Sequence, residues 1–419
     1  MMILQLKAYW KKIRTWGLRG IWDYLRALTG RRRLIKRLAR DARLHPYPHP
    51  ERGITLIGKF TQQASHGKVM RDLARAMKQA NISYQTLNTD DNPNVPESEV
   101  ADILTPPGDF HIRRFNHVVE IHSNIIPSWL HLPLSRIAFW EFESGFLNAY
   151  PDMPFSKSII AMSDFNATHF RSVLPSQTVV TKILYPFHAW SKDLEPPATI
   201  RSRYEIAPDE FAVFFNFDFG SSYHRKNPEG AMRAFAAAFK GELGTRLVLK
   251  TMNARRRPDM LSKAESLARE LGISERLTMI HTYIPERDIF GLTNACDVYI
   301  SLHRGEGFGL TLAEAMAMGK PVVCTDWSST TEFCKPGCAL PIPYRIVPVP
   351  VNQVDHPCYA HVKEWAEPDI DAAASALRRL YDNPSLRKEI GEKARESISE
   401  QFSIDRIKAS IEAFLDLDF

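Results

Sequence analysis

Two series of alternating strand and helix patterns predict an α/β chain with two doubly wound parallel-sheet domains. The first series occupies residues 51–190 and the second residues 204–400, with a proline-bearing stretch from His188 to Arg203 read as the linker. A third observation supports this division. The glycine-bracketed turn Gly305-Glu-Gly-Phe-Gly309 joins a strand pattern to a helix pattern, as at the ligand-binding edge of such a sheet.

In the first series, Ile54–Ile57, Val118–Ile121, Ile137–Trp140, Ile159–Met162 and Val179–Ile183 are short apolar runs that read as strands. Lys68–Ala80 and Asp164–Val173 carry helical periodicity. In the second series, Phe211–Phe215, Arg246–Lys250, Leu277–Ile280, Asp297–Ser301 and Val322–Thr325 read as strands. Pro228–Phe239, Ser262–Leu271 and Leu310–Met318 read as the helices between them, and Gly319-Lys-Pro321 stops the last. Helices follow at Ile370–Tyr381 and Leu386–Gln401, and residues 401–419 hold a final helix, Ile404–Leu417. Two such domains enclose a cleft, and ligands bind at the carboxyl ends of the strands.

The 419 residues, 44% apolar and 24% charged, suit a two-domain globular protein. The five cysteines are scattered with no Cys-x2-Cys pair, which fits reduced thiols in a cytoplasmic compartment. No apolar run is long enough to span a bilayer. The net charge of +6 is unevenly placed. Residues 1–45 hold 13 Lys or Arg against Asp23 and Asp41, a balance of +11, which leaves −5 on the rest.

That arm is also patterned, with Ile3, Leu6, Trp10, Ile13, Ile21, Leu25 and Leu28 at mostly helical spacing. A basic amphipathic helix lying on an anionic membrane surface fits this pattern. A helix packed on the protein's own body with a solvated basic face is the alternative. No nucleic-acid-binding motif follows the arm, so no nucleic-acid partner is expected.

The chemistry concentrates around the Gly305–Gly309 turn. Unpaired N–H groups and the positive dipole end of a helix suit a phosphate or diphosphate. Glu306 on the turn and Glu314 on the helix can bind hydroxyls on either side of that anion. The combination asks for a diphosphate between two polyols, such as a nucleotide sugar. Arg225 and Lys226, in the loop before the Pro228 helix, supply adjacent cations that could neutralise a leaving diphosphate. Asp369-Ile-Asp371 and Asp416-Leu-Asp418 have the Asp-x-Asp form of a divalent-cation site. The first opens a helix, where acidic residues complement the dipole, and the second lies at the C-terminus. No metal dependence is therefore expected.

The stretch E-G-F-G-L-T-L-A-E-A-M-A-x-G-K-P-V-V from Glu306 resembles the donor-site signature of retaining family 4 glycosyltransferases. The resemblance implies the GT-B fold, with the last helix crossing back onto the first domain. It implies that Glu306 contacts the transferred sugar, Glu314 the ribose, and the N–H groups of Gly309, Leu310 and Thr311 the phosphates. Lys226 matches the family's diphosphate lysine, whereas Arg225 stands adjacent to it and not at the usual arginine position. His122 matches a histidine beside the transferred sugar, and Gly67 falls near the donor phosphates or the acceptor. The backbone around Tyr283 and Ile284 would meet the base. Trp140-Glu141-Phe-Glu143 resembles an acceptor-side segment, with Glu141 an outside candidate.

Arg225-Lys-Asn-Pro228, Ser301-Leu-His-Arg304 and Trp365-Ala-Glu-Pro-Asp369 resemble a bacterial surface-polysaccharide branch. The resemblance thus implies a metal-independent hexosyl transfer from a nucleotide-sugar donor to a glycan or lipid-linked acceptor. The expected location is cytoplasmic and peripheral on the inner membrane face, with no cofactor beyond the donor. A nucleotide-sugar epimerase of the same fold and a non-enzymatic nucleotide-sugar sensor or scaffold are the competing readings.

Overall fold

The computed structural model describes residues 33–45, 47, 49–90, 93–106, 108–121, 132–186 and 194–417. Residues 1–32 of the basic arm and the candidate His122 lie outside the described residues. The chain divides into two compact units, residues 1–136 with 417–419, and residues 137–416.

In the first unit, helix α1 (residues 33–44) precedes β1 (Glu51–Gly58), α2 (Ser65–Gln79), β2 (Tyr84–Asn88) and β3 (Phe115–Ile121). Strand β1 pairs in parallel with both β2 and β3. Val69, Met70, Leu73, Ala76 and Met77 recur at helical spacing and form a buried face of α2. A Cβ on Gly67 would stand 2.2 Å from the Gln62 carbonyl oxygen and 2.6 Å from that of Lys59, so glycine is needed for this close approach. Leu38 and Ala42 of α1 are buried with Ile57, Leu87, Phe110, Ile112, Val118 and Leu132. The end of the basic arm therefore packs on this unit's own core.

β4 (Leu134–Ile137) spans the division between the units. It stops earlier than the apolar run Ile137–Trp140 suggests. The Asn166 side chain takes the Trp140 N–H at 2.9 Å and donates to the Trp140 carbonyl at 2.8 Å, so these groups bond to a side chain. The second unit continues with α3 (Phe146–Ala149), β5 (Ser158–Ala161), α4 (Asp164–Val173) and β6 (Val179–Lys182). Ser163 caps α4, its side chain accepting the Asn166 N–H. The first sheet runs in the order β2-β1-β3-β4-β5-β6.

Residues 197–203, read from sequence as linker, form helix α5 (Pro197–Arg203). Its Arg201 binds the Ala295 carbonyl at 2.8 Å and Asp297 at 2.9 Å, which anchors the segment as a packed element. The second sheet contains β7 (Phe211–Asp218), β8 (Thr245–Met252), β9 (Leu277–Ile280), β10 (Val298–Ser301), β11 (Val322–Thr325) and β12 (Leu340–Ile342). Its order is β12-β11-β10-β7-β8-β9, and every pairing is parallel.

The intervening helices are the one-turn α6 (Tyr223–Lys226), α7 (Pro228–Ala238), α8 (Pro258–Glu270), α9 (Glu286–Ala295) and α10 (Leu310–Ala317). An antiparallel hairpin of β13 (Tyr344–Pro348) and β14 (Glu364–Pro368) follows the sheet. Helices α11 (Ile370–Asp382), α12 (Pro384–Gln401) and α13 (Ile404–Leu415) complete the described chain. Ser410 on α13 accepts the Leu184 N–H at 3.2 Å, just beyond β6, which brings the last helix to a strand of the first sheet. Among the described residues no helix is long and apolar enough to cross a membrane.

Candidate functional site

The site is built where β7 and β10 end, inside the second unit. β7 runs into a tight turn in which Asp218 accepts the Gly220 N–H at 2.7 Å and the Asn253 side-chain amide at 2.8 Å. Ser222 then adopts φ 71° and caps α6, accepting the Arg225 N–H at 3.2 Å. Asn227 follows at φ 54°, with its side chain on the Gly230 N–H and the Leu302 carbonyl. Asp355 receives the Ser222 hydroxyl and, at 2.8 Å, the Tyr223 N–H. A helix of a single turn has little stability of its own, so these end contacts fix its position. Its last two residues are Arg225 and Lys226.

The loop after β10 is fastened to α6. The Arg304 N–H donates to the Arg225 carbonyl at 2.8 Å, and its guanidinium to the His224 carbonyl at 2.7 Å. The same guanidinium forks onto Glu367 at 2.6 and 2.8 Å. Thus Glu306, two residues later, has a defined position, with its own N–H on the Ser328 hydroxyl at 3.0 Å.

The side chains meet here. Lys226 donates through Nζ to Glu306 Oε2, and Arg225 Nη1 lies 3.6 Å from the same oxygen. Burial works to raise the Glu306 carboxyl, but Lys226 and Arg225 outweigh it and hold the group down at about 2. Lys226 is lowered from the usual lysine value, because burial and the neighbouring Arg225 outweigh the pull of Glu306.

Arg225 is 2% exposed and is not a solvated loop cation. It donates to the Gly305 carbonyl at 2.9 Å and to the Ser221 carbonyl and hydroxyl at 2.9 and 2.6 Å. Its Nη2 lies 3.8 Å from Glu141, and its guanidinium carbon 5.6 Å from the centre of the Tyr359 ring. Burial raises the Glu141 carboxyl, opposed first by Arg225 and helped by Glu306. Two cations and two carboxylates therefore occupy one largely buried cluster.

Gly309, at φ 96°, leads into α10, and among the described residues no side chain caps that helix. A Cβ at Gly309 would lie 2.5 Å from Thr330 Cγ2, so the turn admits only glycine. The first intrahelical bonds are those of the Leu312 and Ala313 N–H groups to the Gly309 carbonyl. The N–H groups of Gly309, Leu310 and Thr311 precede that ladder and form the positive end of the dipole.

The buried Tyr299 hydroxyl donates to the Asn216 carbonyl at 3.3 Å. Burial raises Tyr299, with both Glu314 and Glu306 adding to the rise. Glu314, on the second turn of α10 and 7% exposed, thus acts on the same hydroxyl as Glu306. The structure brings Lys226, Arg225, Glu306, Glu314 and the start of α10 into one neighbourhood. Ile284 is buried between β9 and α9, and Tyr283 beside it is 43% exposed.

Several participants carry no signal in the sequence. Tyr359 sets its ring beside the Arg225 guanidinium, and Asp355 secures α6. Both come from the loop of the β13–β14 hairpin, and no motif marks them. His303 stands two residues before the Gly305–Gly309 turn. It is fully buried against Ser301, Thr330 and the Trp327 carbonyl. Burial, with Lys226 adding, lowers it to about 4, so it is a neutral packing histidine near neutral pH.

Two six-stranded sheets with their covering helices, and a glycine turn feeding a helix at the end of a central strand, define a GT-B architecture. Residues 208–339 match the family described as glycosyl transferases group 1. The chain is 34% identical over 145 residues to the D-inositol 3-phosphate glycosyltransferase of Nocardia farcinica, covering 33% of this chain and 31% of the relative. It is 26% identical over 215 residues to the O-antigen chain mannosyltransferase B of Escherichia coli, covering 48% of this chain and 50% of the relative. The chain thus spans about a third and a half of the lengths of these two curated relatives. The Anabaena protein Alr3699/HepE, whose structure holds UDP and glucose, superposes with a TM-score of 0.62 at 15% identity. The superposition covers 87% of this chain and 99% of that one, and it carries the fold.

Proposed function

We propose that this chain is a retaining, metal-independent glycosyltransferase of family 4 that moves a hexosyl group from a nucleoside diphosphate to an acceptor hydroxyl. The observation that carries the reading is the Lys226–Glu306 pair, buried beside Arg225 within the same neighbourhood as the uncapped start of α10. A diphosphate develops charge as the glycosidic bond breaks, and fixed cations with oriented N–H groups stabilise that charge. Lys226 meets the leaving phosphate, with Arg225 adding a fixed positive field from behind. The N–H groups of Gly309, Leu310 and Thr311 hold the phosphates, Glu306 orients the sugar and Glu314 the ribose. The backbone at Ile284 lies against the base. His122 and Gly67 are assigned to the sugar and to the phosphates or acceptor on the family resemblance alone.

The acceptor oxygen attacks on the face from which the phosphate departs, and the leaving phosphate oxygen takes its proton. No side-chain nucleophile is needed, and the cations supply the charge a bridging metal ion would otherwise provide. The acceptor is a glycan or lipid-linked glycan of a bacterial surface polysaccharide, a reading supported by the E. coli O-antigen relative. The basic arm, +11 over residues 1–45, attracts an anionic cytoplasmic leaflet and would hold the enzyme peripherally there.

The test is a thermal-shift screen with UDP, GDP, ADP and their sugars, followed by anomeric analysis of product in the presence of a chelator. Selective stabilisation by one nucleotide sugar and a product of unchanged anomeric configuration are expected. Indifference to every nucleotide sugar overturns the reading.

A further inference from the structure

Away from the donor site, the first unit gathers Asp41, His45 and His111. Asp41 lies in the last turn of α1 and His45 one turn further along, so the two share a side of that helix. His111 arrives from the segment before β3. Asp41 Oδ1 is 3.3 Å from His111 Nδ1 and 4.0 Å from His45 Nε2, and one ligand atom from each residue lies within 4.8 Å of the others. The two imidazole rings have centroids 4.0 Å apart.

We propose that these three side chains hold a divalent cation of zinc type, serving structure and taking no part in sugar transfer. Zinc ligands about 2.0–2.1 Å from a tetrahedral centre stand roughly 3.3 Å from one another. The Asp41–His111 edge already has that length. The His45 side chain, 42% exposed, has room to close the longer edge by rotation about its torsions.

Two further features favour a cation here. The second oxygen of Asp41 accepts the Ile112 N–H at 2.7 Å, which turns Oδ1 toward the rings as an outer hydrogen bond orients a ligand. The position also lies at the carboxyl end of α1, where the dipole is negative. With two nitrogens, one oxygen and an open side, the set leaves a fourth place for water. Closed around an ion, it would pin α1 to the segment carrying Ile112, whose side chain is buried with Leu38 and Ala42. The root of the basic arm would then be fixed twice, by apolar packing and by metal.

The test uses the full chain, purified without a histidine tag, stripped with a chelator and titrated with zinc chloride by calorimetry. Cobalt chloride serves as a spectroscopic probe. One equivalent of zinc should bind, raise the unfolding midpoint and give the visible bands of nitrogen- and oxygen-ligated cobalt. His45→Ala and His111→Ala each remove a proposed ligand and should weaken binding by more than the roughly 10- to 100-fold lost with an outer hydrogen-bond partner alone. His45→Ala should leave the metal-free unfolding midpoint unchanged. Absence of saturable zinc binding, or variants that bind zinc as tightly as the native chain, would overturn the site and leave only the Asp41–His111 hydrogen bond.

Discussion

Lys226 donates to Glu306 across the gap between the loop after β7 and the loop after β10, and both side chains are largely buried. The cation proposed for the diphosphate is therefore held in place by the carboxylate proposed for the sugar. Lys226→Ala should lower turnover by roughly 10²–10³ at saturating donor, the range for losing one preorganised anion stabiliser. Steady-state kinetics with the donor found in the stability screen checks this. Normal turnover would remove Lys226 from the phosphate.

The same pair predicts a pH dependence. Burial opposes ionisation of Glu306, yet Lys226 and Arg225 bring it from the ordinary 4.5 to about 2. The folded value lies below the unfolded one. The group therefore contributes stability that is complete above about pH 4.5 and is lost as pH falls toward about 2. Urea midpoints measured across this window should fall more gently in Glu306→Gln than in the native chain. Parallel acid limbs would show that the carboxyl is not held ionised by its neighbours.

Gly309 is the backbone position on which the proposed phosphate site rests. Alanine there combines a φ of 96° with a Cβ 2.5 Å from Thr330 Cγ2. Gly309→Ala should destabilise the protein by about 1–3 kcal/mol and abolish nucleotide stabilisation in the thermal-shift assay. A variant that keeps its melting temperature and its nucleotide response would mean that the turn tolerates a side chain and does not meet the phosphates.

Glu314, eight residues beyond Glu306, adds with it to the charge that raises the buried Tyr299 hydroxyl. Its proposed partner is the ribose, a ground-state contact. Glu314→Ala should accordingly weaken nucleoside diphosphate binding about 10-fold, the loss of a charge-assisted hydrogen bond, with a smaller change in turnover at saturation. Calorimetry with the free diphosphate separates these effects, and an unchanged affinity would refute the ribose role.

The long parallel series was legible because its strands are apolar runs bounded by turn residues. β9 and β11 lie at the residues where that pattern puts them. β2, with the polar sequence Tyr-Gln-Thr-Leu-Asn, has no such signature and is held by pairing with β1. The β13–β14 hairpin is similarly hidden, since prolines end both strands and each is an edge to the other. Helix α9 starts after Pro285 without a side-chain cap, so its beginning is unmarked. In the site, Lys226, Glu306 and Glu314 stand out because they belong to local motifs. Glu141, Asp355 and Tyr359 are joined to them only by tertiary packing, across separations of 80 residues or more from at least one partner.

That packing yields a last expectation. Arg225 is the shared counter-ion of Glu141 and Glu306, and it also holds the carbonyls of Gly305 and Ser221. Arg225→Met keeps much of the volume but leaves both carboxylates short of positive charge and two carbonyls without this donor. A loss of about 3–5 kcal/mol is expected, the range for breaking a buried ion pair from one side. Glu141→Gln should cost less, because burial already favours its protonated form and the neutral amide is close to it in shape. Combining the two should recover part of the loss, with a coupling of about 0.5–3 kcal/mol in a double-mutant cycle read by chemical denaturation. Strict additivity would show that Arg225 stabilises the loop without Glu141, through Glu306 and the two carbonyls, and that Glu141 lies outside the charge cluster.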